Sequence, residues 1–192
     1  MWKKFDGSIM LSKREELIKK ATELFNQGGY TAVGVDKIIA ETGIAKMTMY
    51  KYFPSKNDLI AEVLHERDRK FRASLKAYVD RHDTPYEKIK AAFRWHDKWF
   101  KRRDFNGCMF INASAEFHGS RDAIHKISAE HKRLLAVYLE SLLCSLSQPA
   151  KLTTQMSLLL DGAIVAAHVT GNVNAAMDAW EVAQSLLNEH AV

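Results

Sequence analysis

The chain has 192 residues, 47% of them apolar and 27% charged, and its formal net charge is +5. These values are ordinary for a soluble globular protein with one large or two small domains. The basic first residues are not followed by an apolar stretch of signal-peptide length, and the longest apolar run, MSLLLDGAIVAAH, is broken by Asp161 and too short to span a bilayer. We therefore expect a cytoplasmic protein with no membrane partner.

Three short helices are predicted at the start of the chain. Ser12 and Glu15 form a capping-box pattern that begins the first of them. A second helix is expected from about Gly34 to Glu41, and after the turn at Thr42-Gly43 a third continues to Phe53. No segment alternates apolar and polar residues as a half-buried strand does, so the sequence predicts an all-α protein.

The rest of the chain is predicted to be helical as well. Ser55 and Asp58 resemble a second capping box, which opens a long helix that ends before the segment DRHDTP. Further helices are expected at 84–102, 107–117, 121–146, 151–170 and 174–189. The helix from Ser55 would join an N-terminal three-helix unit to a C-terminal bundle.

The segment GIAKMTMYKYFPSKNDL concentrates lysine and tyrosine on the third helix. At helical spacing, Met49 and Phe53 face the core together with Ile44, which leaves Met47, Thr48 and Lys51 outside. A short helix with such a face, preceded by a helix and a tight turn, is typical of a helix-turn-helix, whose second helix lies in the major groove of DNA.

The side chains of this segment suit contacts with a DNA duplex. Lysines can neutralise phosphates and tyrosine hydroxyls can donate to phosphate oxygens, whereas threonine and methionine can meet base edges. The predicted DNA-binding residues are Lys46, Met47, Thr48, Tyr50, Lys51, Tyr52 and Lys56. A polar helix on the surface of a bundle is the alternative interpretation.

Charge is distributed unevenly along the chain. Residues 1–60 carry a net +3 and residues 61–103 a net +6, whereas residues 104–192 carry −4. A basic N-terminal part favours a nucleic-acid surface there, although solvated helix faces would give the same distribution.

The stretch TAVGVDKIIAETGIAKMTMYKYFPSKNDLIAEVL resembles the DNA-binding domain of the TetR/AcrR family of transcriptional repressors. The resemblance covers about residues 12–65 and implies DNA contacts at the seven residues named above. Gly34 and Ala45 depart from the family, which often has Ser or Thr at the first position and Ser at the second, so we expect no hydroxyl contact to phosphate there. The resemblance further implies a helix-turn-helix domain at 1–54 and a helical ligand-binding and dimerisation domain at 55–192.

Two apolar stripes on the helix at 151–170 are compatible with a homodimer. One contains Leu152, Met156, Leu159, Ala163 and Ala166, and the other Leu160, Ile164 and Ala167. A helix with two apolar stripes can pack both on its own bundle and on a partner. Alternatively, both stripes are buried within one protomer.

Aromatic and apolar residues around 95–118 are candidates for a small-molecule pocket. The principal predicted ligand-binding residues are Trp95, Trp99, Cys108, Phe110, Asn112 and Glu116, and the wider set adds Phe100, Phe105, Met109, Ile111, Phe117 and His118. Each of them also suits an ordinary core. Cys108 could be a redox or electrophile sensor or an inert buried thiol, and the histidines show no metal-site spacing.

We expect no enzyme, no catalytic residues, no cofactor and no metal site, because none of the common nucleophile, phosphate-loop or zinc-protease motifs is present. The predicted function is a dimeric repressor that binds a double-stranded DNA operator and leaves it when a small-molecule inducer fills the C-terminal pocket. The alternative is an architectural DNA-binding protein without ligand control.

Overall fold

The structure, a computed structural model, describes residues 11–190. Within this range the chain forms nine α-helices and no strand, which confirms the predicted all-α class. The residues divide into two compact units, with the boundary between Val63 and Leu64. The basic first ten residues, which entered the signal-peptide argument, lie outside the described range.

The first unit contains helices α1 (Lys13–Gly28), α2 (Val35–Thr42) and α3 (Lys46–Tyr52) and the beginning of α4 (Lys56–Val79). Both predicted capping boxes are present. The backbone N–H of Ser12 donates to Oε2 of Glu15 (2.8 Å) and that of Ser55 donates to Oδ2 of Asp58 (2.8 Å). These bonds satisfy amide groups that have no partner within the helix, so they fix where α1 and α4 begin.

The turn between α2 and α3 depends on a glycine. Gly43 has a φ of 66° and a ψ of 8°, in the left-handed region, and its N–H donates to the carbonyl oxygen of Ile39 (2.8 Å). A side chain at this position would be strained, because residues with a Cβ rarely adopt this conformation. Gly43 thereby ends α2 and lets α3 start in a new direction, as a helix-turn-helix requires.

The second unit contains the rest of α4 and five further helices. These are α5 (Pro85–Phe100), α6 (Met109–Glu116), α7 (Ala123–Leu143), α8 (Pro149–Thr170) and α9 (Ala175–Glu189). Helices α8 and α9 pack on each other most extensively, α5 packs on α9, and α7 packs on both α6 and α8. All predicted helices are present, with ends that differ from the expected positions by up to three residues.

Gly107 marks a close contact in front of α6. Its φ is 77°, and a Cβ added there would lie 2.8 Å from the imidazole ring of His168 on α8. Both the backbone conformation and the adjacent ring therefore require glycine. This contact helps to hold the segment before Cys108 against α8.

Candidate DNA-binding surface and ligand cavity

The inner face of α3 lies where the sequence placed it. Met49 is fully buried, and Phe53 and Ile44 are 3% and 6% exposed. Three buried apolar residues fix the rotation of a helix of only seven residues. The opposite face of α3 must therefore point to solvent.

The outer face of α3 carries the predicted base-reading side chains. Met47 is 82% exposed, Lys51 is exposed, and Thr48 is half-buried between them. These three residues and Tyr50 line one shallow depression of the surface. A methionine this exposed contributes little to its own fold, so its place on the outer face suits contact with a partner.

The three lysines of the predicted surface have different surroundings. Nζ of Lys46 donates to Oδ1 of Asp36 (2.9 Å), and Nζ of Lys56 donates to the carbonyl oxygen of Thr31 (3.1 Å). Among the described residues, no carboxylate pairs with Lys51. Because an exposed ion pair contributes little free energy, Lys46 can exchange its partner for a phosphate at small cost.

The N-caps of α2 and α3 lack a hydroxyl, as the sequence predicts. Gly34 and Ala45 occupy these positions in extended conformations, and neither makes a side-chain hydrogen bond to its helix. The first amide groups of both helices therefore have no side-chain acceptor at these caps. Such amides are able to donate to a phosphate oxygen directly.

A cavity of about 360 Å³ lies within the second unit, where α4, α5, α7 and α8 meet. Most of its wall is apolar, and a few polar groups lie among the apolar ones. Its lining residues are Phe71, Leu75, His96, Cys108, His131, Lys132, Arg133, Leu135, Ala136, Leu139, Thr153, Thr154, Ser157, Leu158, Leu160, Asp161 and Ile164. This size and composition fall within the range of small-molecule sites.

Of the six principal predicted ligand-binding residues, Cys108 lines the cavity and the other five do not. Trp95 and Trp99 lie one layer behind it and pack edge-on against Phe71, with ring centroids 4.7 and 5.2 Å apart. Phe110 stacks on the ring of His131 at 3.6 Å. These three aromatic residues support the wall of this cavity without forming its surface.

The two polar members of that set lie on α6. Nδ2 of Asn112 donates to the carbonyl oxygen of Asn106 (3.3 Å), which holds the segment before α6, and Glu116 is half-buried at the end of the helix. The predicted pocket residues lie between positions 95 and 118, whereas this cavity is lined mainly by α4, α5, α7 and α8. The reason is that α4 and α8, both remote in sequence, supply a large part of the wall.

Sequence reasoning missed His96, His131 and Thr153, which are buried polar residues of the cavity wall. They belong to three different helices, so no local spacing brings them together. The available signal was a polar residue within an apolar stripe, as with Thr153 between Leu152 and Met156. Such residues are normally hydrogen-bonded or functional.

Both cavity histidines are uncharged at neutral pH. Burial lowers the pKa of His96 to about 4, although its hydrogen bond to the carbonyl of Ala92 opposes the shift. Burial likewise lowers the pKa of His131 to about 4, with the carboxylate of Asp68 acting in the opposite direction. In a dry site the charged ring loses its hydration, so the neutral form is favoured.

The cysteines and possible metal ligands add little to this site. Cys108 is 4% exposed and occupies the N-cap position of α6 without a side-chain hydrogen bond to the helix, Cys144 is exposed, and both are unpaired thiols. Across residues 11–190, no cluster of three or more His, Cys, Asp or Glu side chains is arranged to hold a metal ion. Whether Cys108 senses oxidants stays a hypothesis.

An exposed apolar row runs along α8 on a face that the sequence argument did not single out. Leu158, Val165 and Val169 are 68%, 46% and 73% exposed, and Gly162 lies on the same face with open space around it. By contrast, the stripe of Leu160, Ile164 and Ala167 is buried inside the protomer, as are Leu152, Met156 and Ala163 of the other stripe, while Leu159 and Ala166 are half-buried. The exposed apolar side chains of α8 therefore lie in the row of Leu158, Val165 and Val169, with Leu159 and Ala166 at its edge.

Helix α8 is longer than the apolar run considered in the sequence. By length and composition alone its 22 residues could cross a membrane, and 39% of its most apolar window is buried within the protein. This is weak support for a span, since core helices of soluble proteins pass the same test. Asp161, in the middle of the helix, pairs with Lys132 of α7.

Comparison with known proteins places this geometry among bacterial regulators. A family model described as "Bacterial regulatory proteins, tetR family" matches residues 17–63. The HTH-type transcriptional regulator LmrA of Bacillus subtilis is 27% identical over 161 residues, which are 79% of this chain and 84% of LmrA. The transcriptional regulator AcuR of Cereibacter sphaeroides is 28% identical over 53% of this chain and 48% of AcuR.

Solved structures share most of the described fold. SCO4454, a TetR-family transcriptional regulator from Streptomyces coelicolor, superposes with a TM-score of 0.87 and 25% identity over 92% of this chain and 94% of that one. A putative TetR transcriptional regulator from Streptomyces avermitilis gives a TM-score of 0.79 and 25% identity, with 91% and 99% covered.

The helix-turn-helix, its solvent-facing α3 and the helical second unit define a DNA-binding transcriptional regulator. The family-model match over residues 17–63, the regulator relatives and the solved structures together support a TetR-family transcriptional regulator.

Proposed function

We propose that this regulator is a dimeric repressor that binds an operator through α3 and leaves it when a small molecule fills the cavity of the second unit. The observation that carries the proposal is the division of α3 into a buried apolar face and an exposed face of Met47, Thr48, Tyr50 and Lys51. Only a helix whose inner face is held by packing can present side chains to base edges in a defined register.

The seven predicted DNA contacts divide by chemistry. Lys46, Lys51 and Lys56 contact phosphates through charge, and the hydroxyls of Tyr50 and Tyr52 donate to phosphate oxygens. Met47 and Thr48, in the middle of the exposed face, meet base edges and thymine methyl groups. Overall affinity therefore depends on the lysines, and sequence preference depends on Thr48 and Met47.

A homodimer forms through the exposed row of α8. Leu158, Val165 and Val169 on α8 and Val182 on α9, which is 52% exposed, provide apolar area, and Gly162 permits close approach of a second helix. A two-fold dimer presents two copies of α3 to half-sites about 34–36 Å apart or a multiple of that distance. The operator is then a palindrome.

Helix α4 couples the cavity to DNA binding. Its residue Asp68 accepts a hydrogen bond from Nδ1 of His131 (2.7 Å), whose ring lines the cavity, and also accepts from Arg72. Burial disfavours the charged form of Asp68, but these hydrogen bonds outweigh it and lower the pKa of the carboxyl. A ligand that displaces His131 therefore acts on α4, which begins at Lys56, four residues after the end of α3.

The proposal also places the functional boundary between the two domains at residues 54 and 55. Residues 1–54 read DNA, residues 55–192 bind the ligand and the second protomer, and α4 belongs to the responding part from its first turn. Limited proteolysis that releases a stable N-terminal fragment tests where the functional boundary lies.

The DNA-binding part is tested by the ratio of affinities for a selected duplex and for unrelated duplexes of equal length. Operator fragments are enriched from a genomic library, and dissociation constants are measured by fluorescence anisotropy at fixed salt. A specific regulator should give a ratio of about 10³ or more. Similar affinities for all duplexes would contradict the proposal and favour the architectural alternative.

Two variants separate phosphate contacts from base contacts. Lys56→Ala should weaken binding to every duplex and reduce the salt slope by about one unit. Thr48→Ala should change the ranking of base-substituted operators more than it changes mean affinity. Identical profiles for the two variants would contradict this division of roles.

A further inference from the structure

Two imidazole rings of the cavity wall each offer a hydrogen-bond acceptor, and this restricts the ligand. Nδ1 of His96 lies 2.8 Å from the carbonyl oxygen of Ala92. A carbonyl oxygen only accepts, so Nδ1 carries the hydrogen. Because the ring is neutral, its Nε2 is an acceptor.

His131 has the same tautomer for a similar reason. Its Nδ1 lies 2.7 Å from Oδ1 of Asp68, which is ionised and can only accept. Nε2 of this ring is therefore an acceptor too. The cavity wall thus includes two imidazoles whose remaining nitrogen accepts hydrogen bonds and carries no charge.

Thr153 provides an independent observation. It lines the cavity and is 6% exposed, and its Oγ1 has no hydrogen-bond partner among the described residues. The adjacent Thr154 behaves as helical threonines commonly do and donates to the carbonyl oxygen of Ala150 (3.0 Å). A buried hydroxyl without a partner is rare, and a ligand in this cavity would supply one.

The charged residues of the wall are already paired. Nζ of Lys132 donates to Oδ1 of Asp161 (2.5 Å), and Arg133 pairs with Glu130 (2.7 Å). Both pairs are partly exposed and cost little to break, so they do not by themselves exclude a charged ligand. An anion would, however, face the lone pairs of the two imidazole nitrogens.

We propose that the cavity takes an uncharged, largely apolar molecule with a hydroxyl or N–H donor, which one imidazole Nε2 accepts while the Thr153 hydroxyl pairs with the same polar end. This inference rests on the proposed function only in taking this cavity as the ligand site. It adds the chemical class of the ligand and the residues that select it.

The test uses three probes with one skeleton: 2-naphthol, 2-methoxynaphthalene and 2-naphthoate. Isothermal titration calorimetry on the full chain at pH 7.5 keeps the first two uncharged and the third anionic. We expect 2-naphthol to bind at least about 10-fold more tightly than either of the others, as one well-formed hydrogen bond in a buried site allows. Binding of 2-methoxynaphthalene or 2-naphthoate as tightly as 2-naphthol, or binding by none of the three, would overturn the inference.

A matched pair of variants locates the site. Thr153→Val removes the hydroxyl without changing the shape of the side chain, and should weaken 2-naphthol binding about 5-fold or more. Thr154→Val removes a hydroxyl that is already paired with the backbone and should leave the affinity within about 2-fold. Equal effects of the two substitutions would contradict the role of Thr153.

Operator affinity measured with and without 2-naphthol keeps this inference separate from the proposed function. If 2-naphthol binds with the expected preference and DNA affinity does not change, the ligand class stands and ligand control of DNA binding fails. If DNA release is found with an anionic inducer that occupies this cavity, ligand control stands and the ligand class is wrong.

Discussion

The two units differ in where their polar side chains lie. The first unit, described from residue 11 to Val63, has an apolar core, and its polar side chains are at least partly exposed; the second unit buries His96, Ser128, His131 and Thr153. A DNA-reading surface works by presenting polar groups outward, whereas a ligand cavity works by keeping a few of them inside. The exposed face of α3 could therefore be predicted from the spacing of apolar residues, and the cavity could not.

The largest expected effect is an acid sensitivity of the second unit. The histidines at 96 and 131 have folded pKa values of about 4, against about 6.5 when unfolded. As the pH falls from about 6.5 towards 4, the unfolded chain takes up protons that the folded chain does not, so stability present above pH 6.5 is lost. Between pH 7.5 and 4.5 each ring should lower the free energy of unfolding on the order of 2 kcal/mol.

Urea denaturation followed by tryptophan fluorescence measures this loss, because three of the chain's four tryptophans, Trp95, Trp99 and Trp180, belong to the second unit. His131→Gln should flatten the pH dependence, and His118→Gln, which changes an exposed ring, should not. Free energies that are equal at the two pH values would show that the buried rings are not held in the neutral form.

The next effect concerns the apolar row of α8. Val165→Glu places a charge on the proposed dimer face and should raise the dissociation constant of the dimer at least about 100-fold. Val137→Glu on α7, a position of similar exposure (50% against 46%), is the control and should have no such effect. Analytical ultracentrifugation gives both values, and a wild-type protein that is monomeric at micromolar concentration would refute the dimer.

Helices were the best predicted feature of this chain, and the physical reason is local. Ser12 and Glu15, Ser55 and Asp58, and the apolar positions of α3 are all separated by three or four residues, so their contacts follow from helical geometry alone. The resemblance to the TetR family adds the expectation that α3 contacts DNA.

The cavity required long-range contacts that no such spacing contains. His131 reaches Asp68 across 63 positions, and the cavity wall combines α4 with α8. The ligand prediction favoured residues around 95–118 because many of them are large and apolar, and in the structure Trp95, Trp99 and Phe110 lie behind the cavity wall. Size and hydrophobicity alone do not separate a lining residue from a supporting one.

A smaller effect separates the functions of the two units. Lys51→Glu reverses a charge on the exposed face of α3 and should weaken operator binding roughly 30-fold, about 2 kcal/mol, while 2-naphthol binding stays unchanged. Lys19→Glu makes the same change at an exposed position of α1 and should weaken binding much less, because it lies outside the proposed surface. Anisotropy titrations at several salt concentrations measure both, and equal losses would assign the effect of Lys51 to net charge.

The smallest effect is a gain in stability from the cavity wall. Thr153→Val replaces a buried hydroxyl that lacks a protein partner by a methyl group and should stabilise the fold by about 1 kcal/mol, raising Tm by about 2–4 °C. Thr154→Val should bring no such gain, because its hydroxyl is bonded to Ala150. Differential scanning calorimetry without ligand measures the Tm of both variants. A lower Tm for Thr153→Val would mean that the hydroxyl is hydrogen-bonded in the folded protein.

The most direct test of the account is whether the cavity and the DNA surface are coupled. Affinity for the selected operator is measured with and without saturating 2-naphthol, and affinity for 2-naphthol is measured with and without saturating operator. We predict that each ligand weakens the other by the same factor, about 5- to 150-fold, as linkage requires for a coupling of about 1–3 kcal/mol. Bound 2-naphthol that leaves operator affinity unchanged would contradict the claim that this cavity controls DNA binding.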